Sequence, residues 1–258
     1  MHELVILGSG GEQPNRLRTA SGALLRTPRR SLLLDPGEGC LKQLLLLGLA
    51  ATEIRWIFVS HRHLDHCLGL PAILEAAHPV AERPIEILYP AGADATIDRL
   101  LGLAGFKDDA AVARRQLDDG DTLKIEHGRL MFRRLDHDVP TLGLRYESLE
   151  GLGLAFVPDT LPCEGAADLA RGVDLLVCQA SDGEKRAEHV HRRKLMTAGD
   201  AARLAAASGA RRLLLTHFQP GLQEVNALLY EARRSFADTD VARDLTTYRV
   251  SHAKPTGT

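Results

Sequence analysis

The 258-residue sequence has little cysteine and no paired spacing of it. Cys40, Cys67, Cys163 and Cys178 form no Cys-x-x-Cys, which excludes a thiolate zinc knuckle and a disulfide framework and favours a reducing cytoplasm. No apolar run approaches the roughly 20 residues of a membrane span, so no membrane role is expected. The opening apolar run, Leu4 to Leu7, follows the acidic Glu3 and stops at Gly8, unlike a signal peptide. An excess of one charge is missing too: 32 Lys and Arg face 34 Asp and Glu, which argues against an indiscriminate nucleic-acid binder. Proline- or serine-rich linkers, low-complexity stretches and solenoid repeats are likewise absent. The 45% hydrophobic and 26% charged residues are ordinary for a folded chain and exclude a disordered or fibrous one. These values predict a single domain over residues 1–250 and a frayed tail over 251–258.

Short β-rich runs alternate with helical stretches. Leu4 to Leu7 predicts a strand ending in the turn Gly8-Ser9-Gly10-Gly11, and Ala23 to Asp35 a hairpin turning at Thr27-Pro28-Arg29. Further strands are expected at Ile54 to Val59, Ile85 to Tyr89, Leu130 to Leu135, Leu142 to Glu147, Leu154 to Val157, Val173 to Cys178 and Arg212 to Leu215. Helices are expected at Leu41 to Leu49, Pro71 to His78, Ala93 to Leu103, Ala198 to Ser208 and Leu222 to Phe236. The pattern is mixed α/β.

Histidine is what the chain has in quantity, with eleven residues. His61-Arg62-His63-Leu64-Asp65-His66 follows the Ile54 to Val59 strand. Residues i and i+2 of an extended segment point the same way, so His61 and His63 can chelate one ion. A turn after them would bring Asp65 and His66 to a second ion nearby. Further ligands stand at other strand ends: His137, Asp159 and His217. Imidazole with carboxylate suits Zn²⁺, with Mn²⁺ or Fe²⁺ as alternatives. His2, His78, His127 and His252 have no such context and are assigned to the surface or to ordinary packing.

With these residues the chain resembles the metallo-β-lactamase superfamily, and within it the ribonuclease Z-like branch. Ile6-Leu7-Gly8-Ser9-Gly10 resembles the opening strand and turn of that branch. Leu34-Asp35-Pro36-Gly37-Glu38-Gly39, then Gln43-Leu44-Leu45, resembles its "DCGEG…QL" segment, with Pro36 where cysteine is usual. The resemblance continues through Val59-Ser60-His61 to His66 with Gly69-Leu70-Pro71, and through Asp136-His137-Asp138-Val139-Pro140 with Gly143 and Arg145. It ends with Val157-Pro158-Asp159-Thr160 and Leu215-Thr216-His217-Phe218. It implies a four-layer αββα sandwich with two zinc ions per chain. His61, His63 and His137 would hold one, Asp65, His66 and His217 the other, and Asp159 would bridge them. A metal-bridging hydroxide oriented by Asp65, the implied catalytic residue, would then attack a phosphodiester in line.

The departures narrow the expectation. The branch carries a "HEAT" segment whose glutamate supports a proton-donating histidine further along. Here the segment reads Cys178-Gln179-Ala180-Ser181, and Leu195 stands in the histidine's place. The arm that grips transfer RNA would fall where only a short turn, Glu147 to Gly153, fits, and "S-x-R-Y" is Gln219-Pro220-Gly221-Leu222. His189 or His191 could replace the acid, and Arg192, Arg193 and Lys194 could contact phosphate. Cys67 and Cys178 are read as small buried side chains. The leading expectation is therefore a cytoplasmic zinc hydrolase acting on a small or cyclic phosphodiester or RNA. The alternatives are a transfer-RNA 3′-processing endoribonuclease, a lactone or ester hydrolase, and a metal-stabilised binding protein without turnover. A homodimer is expected from the resemblance alone.

Overall fold

A computed structural model describes residues 2–12, 15–28, 30–80, 82–219 and 225–252. Strand alternation decides the architecture. In the first strand Leu4 and Ile6 face one way, and Val5 and Leu7 the other; all four are buried, so the strand is covered on both faces. The first half of the chain supplies β1 (Glu3–Gly8), β2 (Gly22–Arg26), β3 (Ser31–Leu34), β4 (Ile54–Phe58), β5 (Ile85–Pro90) and β6 (Val112–Leu117). Its helices are α1 (Cys40–Leu46), α2 (Leu64–Cys67), α3 (Leu70–Ala77) and α4 (Asp94–Leu103). The second half supplies β7 (Thr122–Ile125), β8 (Gly128–Arg134), β9 (Leu142–Ser148), β10 (Gly153–Val157), β11 (Leu175–Gln179), β12 (Leu213–Thr216), β13 (Thr239–Val241) and β14 (Thr246–Arg249). Its helices are α5 (Glu164–Ala170), α6 (Ala187–Arg192), α7 (Ala198–Ser208) and α8 (Val225–Arg233).

Two seven-stranded sheets result, in the orders β14-β1-β2-β3-β4-β5-β6 and β13-β12-β11-β10-β9-β8-β7. Each is antiparallel on one side and parallel on the other: β3 to β6 run parallel in the first, β10 to β13 in the second. Their inner faces pack together, with Ile6, Leu25 and Phe58 meeting Phe132, Tyr146 and Phe156 in one core. The outer face of the first sheet is covered by α1, α3 and α4, and that of the second by α5, α7 and α8. This is the four-layer αββα sandwich that the resemblance implied. α7 begins where expected because Thr197 and Asp200 form a reciprocal capping box, and it ends at Gly209 in the left-handed conformation.

The structure adds elements that were not expected: β6, β7, β13 and β14, and the short helices α2, α5 and α6. All four added strands are sheet edges. The last helix is observed from Val225, residues 222–224 lying outside the described residues. Arg29 of the expected hairpin turn lies outside them too, as do residues 253–258 of the expected frayed tail. His252, placed in that tail, is held instead: its Nδ1 is 2.9 Å from Asp174 Oδ1, and its carbonyl accepts a hydrogen bond from Arg211 at 2.9 Å. Among the described residues no helix is long and apolar enough to cross a membrane.

Parallel strands with one register place their carboxyl ends at one rim. Leu34 pairs with Phe58, and Val157, Cys178 and Leu215 lie level across β10, β11 and β12. The segments after these residues hold Asp35, Ser60 to His63, Asp159 and His217. Such a rim is where open α/β sheets build their sites.

Candidate metal centre

The chain leaves β4 through Ser60 and His61, keeps His63 extended as the residue before α2, and turns into that helix with Asp65 and His66 in its single turn. His137 comes from the β8–β9 connection, Asp159 follows β10, and His217 follows β12 in a left-handed conformation with φ 62°. The structure thus brings all seven expected ligand residues together. One donor atom from each of His61, His63, His137 and Asp159 lies within 4.8 Å of the others, and so do single atoms from Asp65, His66 and His217. Asp159 touches both groups: Oδ2 is 4.0 Å from His61 Nε2, 3.8 Å from His137 Nε2 and 3.7 Å from His66 Nε2. Its Oδ1 is 3.3 Å from His217 Nδ1.

The contacts within the cluster are of an unusual kind. Ring nitrogens face ring nitrogens: His66 Nε2 and His217 Nε2 are 3.1 Å apart, His61 Nε2 and His63 Nδ1 3.1 Å, and His137 Nε2 and His63 Nδ1 3.4 Å. Each such pair needs a proton on one partner only, so imidazoles alone satisfy each other poorly. Asp159 Oδ1 and His217 Nδ1 are buried with no hydrogen-bond partner among the described residues. Buried polar atoms without partners call for an explanation, and a divalent cation among these donors supplies one. Neutral imidazoles and carboxylates are the set that Zn²⁺ and its first-row neighbours accept.

Electrostatics follows from crowding these groups at the rim. Burial, with the neighbouring His66 charge, pushes the His61 imidazole well below its ordinary range. Burial also disfavours charge on His66, but Asp65, Asp35 and Asp159 outweigh it and raise that ring well above its ordinary value. His217 is raised in the same way, chiefly by Asp159 against its burial. Asp65 and Asp159 stay far below the usual carboxylate range: burial opposes their charge, and His66 and His217 overcome it.

The outward nitrogens are held from behind. His61 Nδ1 is 2.9 Å from Ser60 Oγ, His66 Nδ1 is 2.7 Å from Asp35 Oδ2, and His137 Nδ1 is 3.1 Å from the Lys194 carbonyl. Partners of this kind fix the tautomer and leave the other nitrogen free to bind. Asp35 is fully buried and also accepts hydrogen bonds from Ser60 N at 2.7 Å and Ser60 Oγ at 2.8 Å. It does so at φ 50°, a left-handed conformation that Asp tolerates. Close backbone approach brings its loop against α2: a Cβ on Gly69 would lie 2.3 Å from the Gly37 carbonyl oxygen. Sequence reasoning quoted Asp35 and Ser60 but gave them no role. The signal was a carboxylate directly after Leu32-Leu33-Leu34 of a buried strand, where an isolated charge would be costly.

The residues proposed as a substitute acid or phosphate contacts lie elsewhere. His189 is exposed, and His191 Nε2 is 2.8 Å from Asp200 Oδ2 at the α7 cap. Arg192 pairs with Glu188, Arg193 with Glu12, and Lys194 Nζ with Asp136 Oδ1 at 2.7 Å. Of these five, only Lys194 meets the cluster, and through its carbonyl. Cys67 and Cys178 are fully buried, and burial pushes the Cys67 thiol up to about 12.

Comparison with known proteins identifies the family. The Beta-lactamase superfamily domain profile matches residues 30–218. A protein named Ribonuclease Z from Protochlamydia amoebophila is 32% identical, over 96% of this chain and 96% of its own. The chain belongs to the metallo-β-lactamase superfamily, in its ribonuclease Z-like branch. As such it is a hydrolase of that superfamily. The crystal structure of human tRNase Z, short form, superposes with a TM-score of 0.79 at 26% identity, covering 96% of this chain and 99% of that one. The metallo-β-lactamase fold protein YhfI of Bacillus subtilis shares the fold, with a TM-score of 0.83 at 20% identity over 96% and 98% of the two chains. The alignment with the Protochlamydia relative runs over 295 positions, so at least 37 of them, the excess over 258, face gaps in this chain.

Three places where the sequence departs from the branch pattern have a clear structure in this chain. Gln179, where the relay glutamate is usual, is fully buried and spends its side-chain amide on the backbone of Met196. Leu195, in the relay histidine's place, is 2% exposed and turned into the protein. Where the arm would leave, β9 and β10 are joined by Leu149 to Leu152, closed by Ser148 Oγ accepting from the amides of Glu150 and Leu152. Of the Gln219 to Leu222 segment only Gln219 is among the described residues.

Proposed function

We propose that this chain is a dinuclear zinc-dependent phosphodiesterase acting on a small or cyclic phosphodiester. The observation that carries the reading is Asp159, one buried carboxylate in reach of nitrogens from both donor groups. His61, His63 and His137 would hold one ion and Asp65, His66 and His217 the other, with Asp159 between. Two divalent ions held there would acidify water toward neutrality and offset charge on a phosphoryl oxygen. The chain's own residues do the rest. Asp65, kept ionised, accepts a hydrogen bond from the attacking water and sets its direction. Ser60, Asp35 and the Lys194 carbonyl hold the imidazoles, so that little reorganisation accompanies the reaction.

The choice of a small substrate rests on the relay positions and the β9–β10 turn. A ribose alkoxide leaves poorly without a general acid, at a loss of roughly 10²–10⁴-fold. Neither Gln179 nor Leu195 can supply that proton, and the four-residue turn offers no gripping arm. Transfer-RNA 3′ processing is the second reading, favoured by the relatives named Ribonuclease Z and tRNase Z. Four free cysteines, three of them buried, fit a reducing cytoplasm. Exposed Leu45 and Leu46 on α1, and exposed Leu64 and Leu68 on and after α2, fit a homodimer.

Elemental analysis with two assays on one preparation tests the reading. Two zinc per chain, hydrolysis of bis(p-nitrophenyl) phosphate and no cleavage of precursor transfer RNA are expected. Efficient, specific cleavage of the precursor establishes the second reading instead. Zinc without turnover on either substrate overturns both.

A further inference from the structure

The glutamine that stands where the branch has its relay glutamate has a task of its own. We infer that Gln179 is a positioning residue for the three-histidine group, acting on His137 through the backbone of residues 194–196. The inference rests on the metal reading above. Gln179 ends β11, and its Oε1 accepts the Met196 N–H at 2.9 Å while its Nε2 donates to the Met196 carbonyl at 3.2 Å. Both ends of one side-chain amide therefore clasp one residue, as a neighbouring strand would. The Met196 carbonyl also accepts from Ser181 N at 3.0 Å. Two residues earlier, Lys194 is left-handed at φ 52°, a conformation that a non-glycine residue keeps only where its surroundings hold it. That conformation turns the Lys194 carbonyl onto His137 Nδ1 at 3.1 Å.

A carbonyl only accepts, so the proton sits on His137 Nδ1, and Nε2 faces the cluster with its lone pair free. His61 and His66 receive the same service from Ser60 and Asp35, which follow strands of the first sheet. His137 receives it from a connection between α6 and α7, so its tautomer depends on how that connection is anchored. The other anchors of Lys194 are a bond from its N–H to the His191 carbonyl and a half-exposed ion pair with Asp136. Leu195 N–H on the Val190 carbonyl and Ser181 N–H on the Met196 carbonyl also hold the connection, and Gln179 holds it with a fully buried side chain. An ionised glutamate there could accept from Met196 N but could not donate to the Met196 carbonyl. Changing relay glutamate to glutamine thus removes an acid-supporting carboxylate and installs a clasp.

The test begins with the unmodified protein. In ¹⁵N-labelled samples, metal-free and zinc-loaded, the His137 ring is expected to show Nδ1 protonated; an Nε2-protonated ring overturns the inference without any variant. Gln179→Met and Gln179→Glu are then titrated with zinc against a chelator. Outer partners of metal-bound histidines are worth roughly 10- to 100-fold in affinity, and that loss is expected at one of two sites, with the His137 and His66 ring shifts reporting which. Asp200→Asn is the control, because it loosens the cap of α7 beyond the same connection; it should lower melting temperature and leave zinc affinity unchanged. Wild-type affinity at both sites in the Gln179 variants refutes the inference. So does an equal loss at both sites, or an equal loss in Asp200→Asn, either of which would mean general loosening. A parent protein that binds no zinc overturns the metal reading itself.

Discussion

Asp35→Asn separates what the buried carboxylate does for stability from what it does for the centre. Asp35 is 0% exposed and receives three hydrogen bonds, two from Ser60 and one from His66 Nδ1. Asparagine has the same shape and also tolerates the left-handed backbone at this position, so no strain is added. One amide oxygen can keep the Ser60 N–H, and the Ser60 hydroxyl can rotate to accept from the new NH₂. His66 cannot adapt as cheaply. Facing an NH₂, its Nδ1 must give up its proton and become an acceptor, which leaves the ring protonated at Nε2, the nitrogen that faces His217 and Asp159. A charged hydrogen bond is worth roughly 1.5–3 kcal/mol. A loss of about 2 kcal/mol lowers the melting temperature of a chain this size by about 4–8 °C. The metal-free protein measures that term alone in a thermal melt under chelator. Zinc titration then reads the second term, an expected loss of roughly 10- to 100-fold at the Asp65–His66–His217 group. Unchanged melting and unchanged zinc affinity in Asp35→Asn would refute the assignment of His66's tautomer to Asp35.

Asp65→Ala should abolish hydrolysis of bis(p-nitrophenyl) phosphate while circular dichroism stays that of a folded chain; normal turnover would sink the role given to Asp65. Restoring the relay needs two changes at once, because Gln179→Glu alone gives up the clasp on Met196. Leu195→His with Gln179→Glu should therefore raise precursor-RNA cleavage above either single variant, and no gain counts against the account of the departures. Acid stability carries a mark of Asp200. Burial disfavours its charge, but hydrogen bonds with His191, Thr197 and Arg203 hold its carboxyl at about 2, below the ordinary 3.8. Since the folded value is the lower, its stabilisation is present above about pH 4 and fades as pH falls toward 2. Melting temperatures of the parent and Asp200→Asn, compared between pH 7 and pH 2, should converge at the acid end.

What was legible in the sequence and what was not divides along a physical line. The interior strands bury both faces, and runs such as Leu4 to Leu7 or Leu154 to Val157 are apolar throughout. The four strands that were missed, Val112–Leu117, Thr122–Ile125, Thr239–Val241 and Thr246–Arg249, close the ends of the two sheets. An edge strand pairs on one side and faces water on much of its surface, so Ala113-Arg114-Arg115-Gln116 carries no apolar run to notice. In the site, His61 to His66 is legible because its donors are crowded into one turn of chain, and His137, Asp159 and His217 because each follows a strand with buried apolar residues. Asp35 was quoted only for its resemblance, since nothing local says which histidine a distant carboxylate will meet. The Lys194 carbonyl had no signal at all: every residue has a carbonyl, and only the left-handed backbone aims this one.

The pairing of β14 with β1 sets Glu3 opposite Arg249 and Ile6 opposite Thr246, and Leu245 N–H reaches back to the Ile6 carbonyl at 2.8 Å. During synthesis the first sheet must therefore wait, with one flank of β1 bare, until β14 has been made. An unpaired apolar strand edge invites pairing with other chains, so the nascent polypeptide is exposed to aggregation at β1 before β14 emerges. A nonsense or proteolytic event just ahead of residue 246 would leave all seven proposed metal ligands in the chain and still unseal the sheet that carries four of them.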